Sequence, residues 1–200
     1  MRRLLLLATL LAGVASTATA QRGARVEVSV DPANRDPRVR IRNLMNEERW
    51  REAIDDAFRI SLHWRVELWK RRTFWSSNLR EVEFTTVIRR EPLLGQYFIT
   101  YFTPGRQPQE FTFSSPEAFV LQLERVIDIN RMGPSTEGEW YYVANVQVSA
   151  LDEEQFAEMQ RFLGGDASGN GGGLGGWLLR RVGLPSQNLA PARSTTFRVP

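Results

Sequence analysis

Apolar and polar residues alternate with a period of two through three consecutive stretches between Ile60 and Thr103. Side chains of a strand point alternately to opposite faces, so this pattern predicts an antiparallel β-meander. In the first stretch Leu62, Trp64, Val66 and Leu68 make an apolar face, with His63, Arg65, Glu67 and Trp69 on the other. In the second, Val82, Phe84, Thr86 and Ile88 oppose Glu81, Glu83, Thr85 and Arg89. The third puts Tyr97, Ile99 and Tyr101 on one side and Phe98 and Phe102 on the other, as expected of a strand covered on both faces.

The same reading extends to both sides of the meander. Val26, Val28 and Val30 predict a strand, and Val39 and Ile41, alternating with Arg38, Arg40 and Arg42, predict its hairpin partner across the Asp31-Pro32 and Asp36-Pro37 turns. Asn46 is expected to cap a helix running to about Arg59, with Trp50, Ala53, Ile54, Ala57 and Phe58 as its apolar stripe. Polar turns are expected over 72–78, 91–95 and 104–108, followed by a short strand holding Phe111 and Phe113. Ser115-Pro116-Glu117 signals a second helix, with Phe119, Val120, Leu123, Val126 and Ile127 on one face. Residues 139–151 predict a long strand with Tyr142, Ala144, Val146 and Val148 facing the core. Asp152 to Gln155 has capping-box spacing for a third helix, which buries Phe156, Met159, Phe162 and Leu163. Glycine-dense residues 164–176 form a linker, Trp177 to Val182 a short amphipathic segment, and Phe197 with Val199 an edge strand. The expected fold is α+β and β-dominated: a mainly antiparallel sheet, built as a two-layer β-sandwich with three helices packed on it. A single β-rich domain spans 21–163.

Residues 1–20 change the picture of where the protein works. Arg2-Arg3, the apolar run from Leu4 to Ala15 and Ala18-Thr19-Ala20 have the order of a cleaved signal peptide, with cleavage expected at about Ala20/Gln21. The run is shorter than the ~20 residues a membrane span needs, so the expected location is periplasmic or extracellular, with no transmembrane segment after cleavage. The absence of cysteine rules out disulfides, cysteine nucleophiles and a lipidated N-terminal cysteine. Of 26 Lys+Arg and 23 Asp+Glu, Arg2 and Arg3 leave with the leader, so 24 remain against 23. Lys70 is the sole lysine, and arginine's very high pKa raises the isoelectric point despite this near balance. A nearly neutral exported chain is a poor nucleic-acid binder.

The order of elements resembles a known family. A helix feeds a Trp/Arg-rich strand. Another strand ends in a proline turn before a tyrosine, Arg90-Glu91-Pro92-Leu93-Leu94-Gly95-Gln96-Tyr97. An F-x-F-x-S segment leads into a helix bearing Glu117-Ala118, and a Tyr-rich strand ends in Leu151-Asp152. Over roughly residues 26 to 163 this is similar to an exported bacterial envelope family, domain of unknown function 4390. The resemblance implies an exported protein, in some cases linked to envelope sensing, and supplies no catalytic residues.

Candidate chemistry is sparse. His63 is the single histidine and is expected on the exposed face of its strand, without a serine in nucleophile-elbow context. No spacing of ligands suggests a zinc site, and no cofactor is implied. Gly171, Gly173 and Gly176 match G-x-G-x-x-G, but not between a strand and a helix at the start of a βαβ unit, so the match is accidental. Glu67, Glu81 and Glu83 fall on neighbouring strands, an arrangement that serves a paired-carboxylate hydrolase only in a cleft free of arginine. Arg65, Arg71 and Arg89 share those faces, which points instead to cross-strand ion pairs. The candidate binding rim is Trp69, Lys70, Arg71, Arg72, Phe74 and Trp75, joined by Trp177 on its tether, because Trp and Arg are enriched at binding hot spots. The leading reading is a non-enzymatic envelope module that docks an envelope protein or a membrane-surface component. The alternatives are an envelope hydrolase using Glu67 and Glu83, or a carrier of an apolar ligand in a cavity between sheet and helices.

Overall fold

A computed structural model describes residues 23–72, 76–151, 156–157 and 186–200. The expected hairpin is present as β1 (Arg25–Val30) and β2 (Pro37–Arg42), and a two-residue strand, β7 (Ile127–Asp128), joins β2 to make a three-stranded antiparallel sheet. The meander is β3 (Arg59–Arg71), β4 (Ser76–Glu91) and β5 (Gln96–Phe102), extended by β6 (Gln109–Phe113) at one edge. On the other side of β3 lies β8 (Gly138–Leu151), antiparallel to it over its full length. Three short strands from the C-terminal segment pair with β8: β9 (Ser186–Asn188), β10 (Ala192–Arg193) and β11 (Phe197–Val199). The chain is thus β-dominated, with two antiparallel sheets, and the described residues contain no closed barrel.

The period-two pattern sets which face is buried. Leu62, Trp64, Val66 and Leu68 of β3 lie beside Tyr142, Ala144, Val146 and Val148 of β8, all essentially inaccessible. Against them pack Val26, Val39 and Ile41 of the small sheet, Trp50 and Ile54 of α1 (Glu48–Asp55), and Phe119 and Leu123 of α2 (Pro116–Leu123). Trp64 stacks on Phe84 with centroids 5.5 Å apart, and Tyr97 stacks on Phe119 at 5.0 Å. Burying aromatic rings of this size contributes heavily to a core, with some further gain from their offset geometry.

Both helices end earlier than the sequence pattern predicts. The first is capped at Glu47, not Asn46, which sits in a single 3-10 turn (Leu44–Asn46). It stops at Asp55 instead of about Arg59, because Ala57 takes a left-handed conformation with φ 64°. There the Phe58 amide donates to the Ala53 carbonyl and the Ala57 amide to the Ile54 carbonyl, the two bonds of a Schellman ending. The left-handed position usually held by glycine is held here by alanine, so the stripe from Trp50 to Phe58 carries no warning of the stop. In α2 the Ser115 hydroxyl accepts from the Ala118 amide at 3.2 Å, as its position before Pro116 predicts. Val126 and Ile127 lie beyond this helix, the latter in β7. Ser115→Ala should cost about 1 kcal/mol, read as a lower urea midpoint at unchanged slope. An unchanged midpoint would show that Pro116 alone fixes the helix start.

Two α-helices lie among the described residues, against three expected. The third falls outside them, apart from Phe156 and Ala157, which are helical. Residues 1–20, expected to be a leader, the linker expected over 164–176 and Trp177 also lie outside the described residues. Among the described residues no helix is long and apolar enough to cross a membrane.

Candidate docking face

The second face of the large sheet carries the polar half of the alternation. It divides into a buried end and an open end. At the buried end Ser61, His63, Thr85, Val87, Phe102, Ser149 and Leu151 are all shielded from solvent. Phe156 packs on Val87, Phe102 and Leu151, with the Arg59 guanidinium 4.7 Å from its ring centroid. His63 is therefore a buried residue and not the exposed strand residue its polar neighbours suggest: it is 6% accessible. Burial, and then the nearby charge of Arg65, hold its imidazole down to about 4, so it is neutral at physiological pH. Its Nδ1 has no hydrogen-bond partner, and its Nε2 lies 3.9 Å from Glu83.

At the open end an ordered chain of charges and rings runs across the strands. Register puts Trp69 of β3 opposite Tyr141 of β8, and their rings stack with centroids 6.3 Å apart and planes 9° from parallel. Arg193 of β10 pairs with Val143, on the same face, and lays its guanidinium 3.6 Å from the Tyr141 centroid. Trp69 Nε1 donates to Glu67 at 2.9 Å, so the indole is held from below by a carboxylate and from the side by a phenol. Glu67 also accepts from Arg65 at 2.9 Å, and Arg65 reaches on to Glu81 at 2.8 Å. At the rim Arg71 lies 3.7 Å from Glu139, whose register partner on β11 is Arg198.

This geometry divides the predicted rim. Trp69 and Arg71 are on the second face. Lys70, alternating with them, points to the first, with Nζ 5.0 Å from the Trp140 ring centroid. Arg72 is exposed. Phe74, Trp75 and Trp177 lie outside the described residues. Tyr141 and Arg193 were not singled out in the sequence. Tyr141 is legible in principle, since it alternates with Tyr142, whereas Arg193 lies in β10, a strand of two residues, too short to show a period.

Two of the acids of this face share one arginine. Arg65 sits between Glu67 and Glu81, which is the cross-strand pairing expected from their shared faces. Burial pushes the Glu83 carboxyl above its usual range, Arg65 draws it back, and Glu81 adds to the rise. The arginine-free cleft that a paired-carboxylate hydrolase requires is not formed by Glu67 and Glu83. Among the described residues no group of three or more His, Asp or Glu side chains is placed to hold a metal ion.

No family model, curated protein or solved structure matches this chain.

Proposed function

We propose that this chain is a non-enzymatic binding module of the bacterial cell envelope, exported by its leader and built as two packed β-layers. Its docking surface is the open end of the second face, and the observation that carries the reading is the Trp69–Tyr141–Arg193 stack. A half-buried indole fixed by a hydrogen bond and a parallel ring has little rotamer freedom left to lose on binding, which favours affinity. The partner is an envelope protein: the charges of this face balance, with Arg65, Arg71, Arg193 and Arg198 against Glu67, Glu81, Glu83 and Glu139, so the aromatic stack carries the contact. The likeness to domain of unknown function 4390 supports the location and a role linked to envelope sensing.

Cross-linking in living cells with tagged wild-type chain, Trp69→Ala and Arg193→Gln tests this, followed by mass spectrometry and titration of the purified partner. One dominant partner is expected, with affinity about thirtyfold lower in Trp69→Ala, as for a hot-spot tryptophan worth ~2 kcal/mol. Arg193→Gln, an exposed change, should weaken binding without altering the thermal midpoint. Equal capture by wild type and both variants, or no specific partner at any linker length, would overturn the proposal. Binding to anionic vesicles that is lost in the same variants, with no protein captured, would assign the surface to a membrane instead.

A further inference from the structure

The first face of the large sheet carries a separate feature. Where β4 and β5 pass the end of α2, sheet and helix do not close on each other, leaving a cleft of about 360 Å³. That volume falls in the lower part of the range for small-molecule sites, roughly 300–1,000 Å³. Phe84 and Tyr101 are among the side chains lining it from the sheet. Phe111 of β6 and Val126, just beyond α2, also line it, and they are 41% and 39% accessible. These are large apolar side chains left in water beside a partly apolar cavity, which an apolar ligand would cover.

The polar groups of the cleft favour one sign of charge. Asp128 is its one lining carboxylate, and it is engaged by Arg38 at 2.9 Å. Arg106 and Arg125 also line the cleft, and neither has a carboxylate within ion-pair distance among the described residues. The Gln122 amide lies beside the Tyr101 hydroxyl; burial raises that hydroxyl above its ordinary range, so it remains a proton donor at neutral pH. Apolar walls with two uncompensated guanidiniums and a phenol match a ligand with an apolar body and an anionic head.

We propose that the cleft between β4–β6 and the α2–β7 segment binds a small amphipathic carboxylate. Its acyl or aromatic body lies on Phe84, Phe111 and Val126, and its head meets Arg106 and Arg125. The site is independent of the docking face, because Trp69 lies on the opposite side of the sheet.

Calorimetric titration of the purified chain with dodecanoate, below its micellar concentration, tests the assignment against dodecyltrimethylammonium, which has the same tail and the opposite charge. Saturable one-to-one binding of dodecanoate is expected, with the cation bound at least about tenfold more weakly. Arg106→Gln combined with Arg125→Gln should lower the affinity for dodecanoate by about tenfold or more, the usual worth of a charge-assisted contact. Val126→Trp should fill the mouth and abolish binding, while Trp69→Ala should leave it unchanged. Val126, Arg106 and Arg125 are exposed, so circular dichroism and thermal midpoints of these variants should match wild type. Absence of saturable binding to the folded chain, equal affinity for the cation, or wild-type affinity in folded Val126→Trp would each overturn the proposal.

Discussion

Asp36→Ala should lower the stability of this protein by about 3–4 kcal/mol, one of the largest losses expected from a single polar side chain. Asp36 is buried at the corner where the β1–β2 turn meets the loop before β8. Its carboxylate accepts from three consecutive backbone amides: Arg131 at 3.0 Å, Met132 at 2.8 Å and Gly133 at 2.6 Å. Arg131 has a positive φ of 64°, and this curls the loop into a nest of amides around the anion. A Cβ on Gly133 would lie 2.9 Å from the Asn34 carbonyl oxygen, so the close approach depends on glycine. The Tyr142 hydroxyl donates to the Arg35 carbonyl at 2.8 Å, with the Met132 carbonyl at 3.2 Å, and this ties the same corner to β8. Alanine would leave these amides without their anion, and charge-assisted bonds are each worth about 1.5–3 kcal/mol before the loop relaxes and admits water. Urea unfolding checks the value through a midpoint shift at constant slope. Asp36→Asn keeps one acceptor oxygen but turns an N–H₂ toward the amides, so it should fall between wild type and alanine. A loss below about 1 kcal/mol for Asp36→Ala would mean that the loop finds other acceptors and that the nest does not hold the corner.

How far such features can be read from sequence depends on whether they leave a period. The meander does, because every second residue from Leu62 to Leu68 must be apolar for β3 to bury one face, and a slip by one residue would expose all of them. The edge strand at Phe197 and Val199 is legible for the same reason, and both side chains do pack against the core. Asp36 leaves no period. In sequence it is one more Asp-Pro turn, and its partners lie more than ninety residues along the chain, as separations of 95, 96 and 97 show. Ala57 ends α1 in a conformation that its side chain does not announce. The candidate docking face is legible only in part: Trp69 stands out by type, but its stack needs the β3–β8 register, and Arg193 reaches it through β10. The cleft beside Tyr101 depends on how α2 sits over the sheet, which no local pattern encodes.

His63 illustrates the same limit and leads to a measurable pH dependence. A histidine among arginines and glutamates in an alternating strand reads as exposed, yet it lies at the covered end of the second face. Burial there holds its pKa at about 4, against an ordinary value of 6.5. The unfolded chain therefore binds a proton on this residue at a pH where the folded chain does not. Between about 6.5 and 4 the unfolded state gains protons first, so stability falls as the pH is lowered and levels off below the folded pKa. The full effect is roughly 3 kcal/mol, from the depth of the shift. Arg65 adds to it by repelling the imidazolium, while Thr85 and Gln147, the register partners of His63, carry no charge. Glu83 works in the opposite sense. Its raised carboxyl contributes stability that is present below the unfolded carboxylate pKa and lost as the pH rises through the folded one, so it offsets part of the histidine term in acid. Urea midpoints measured from pH 7.5 to 4 should fall steadily for wild type and much less for His63→Gln, which keeps a neutral polar side chain and cannot titrate. Parallel curves for the two proteins would show that His63 is not held neutral.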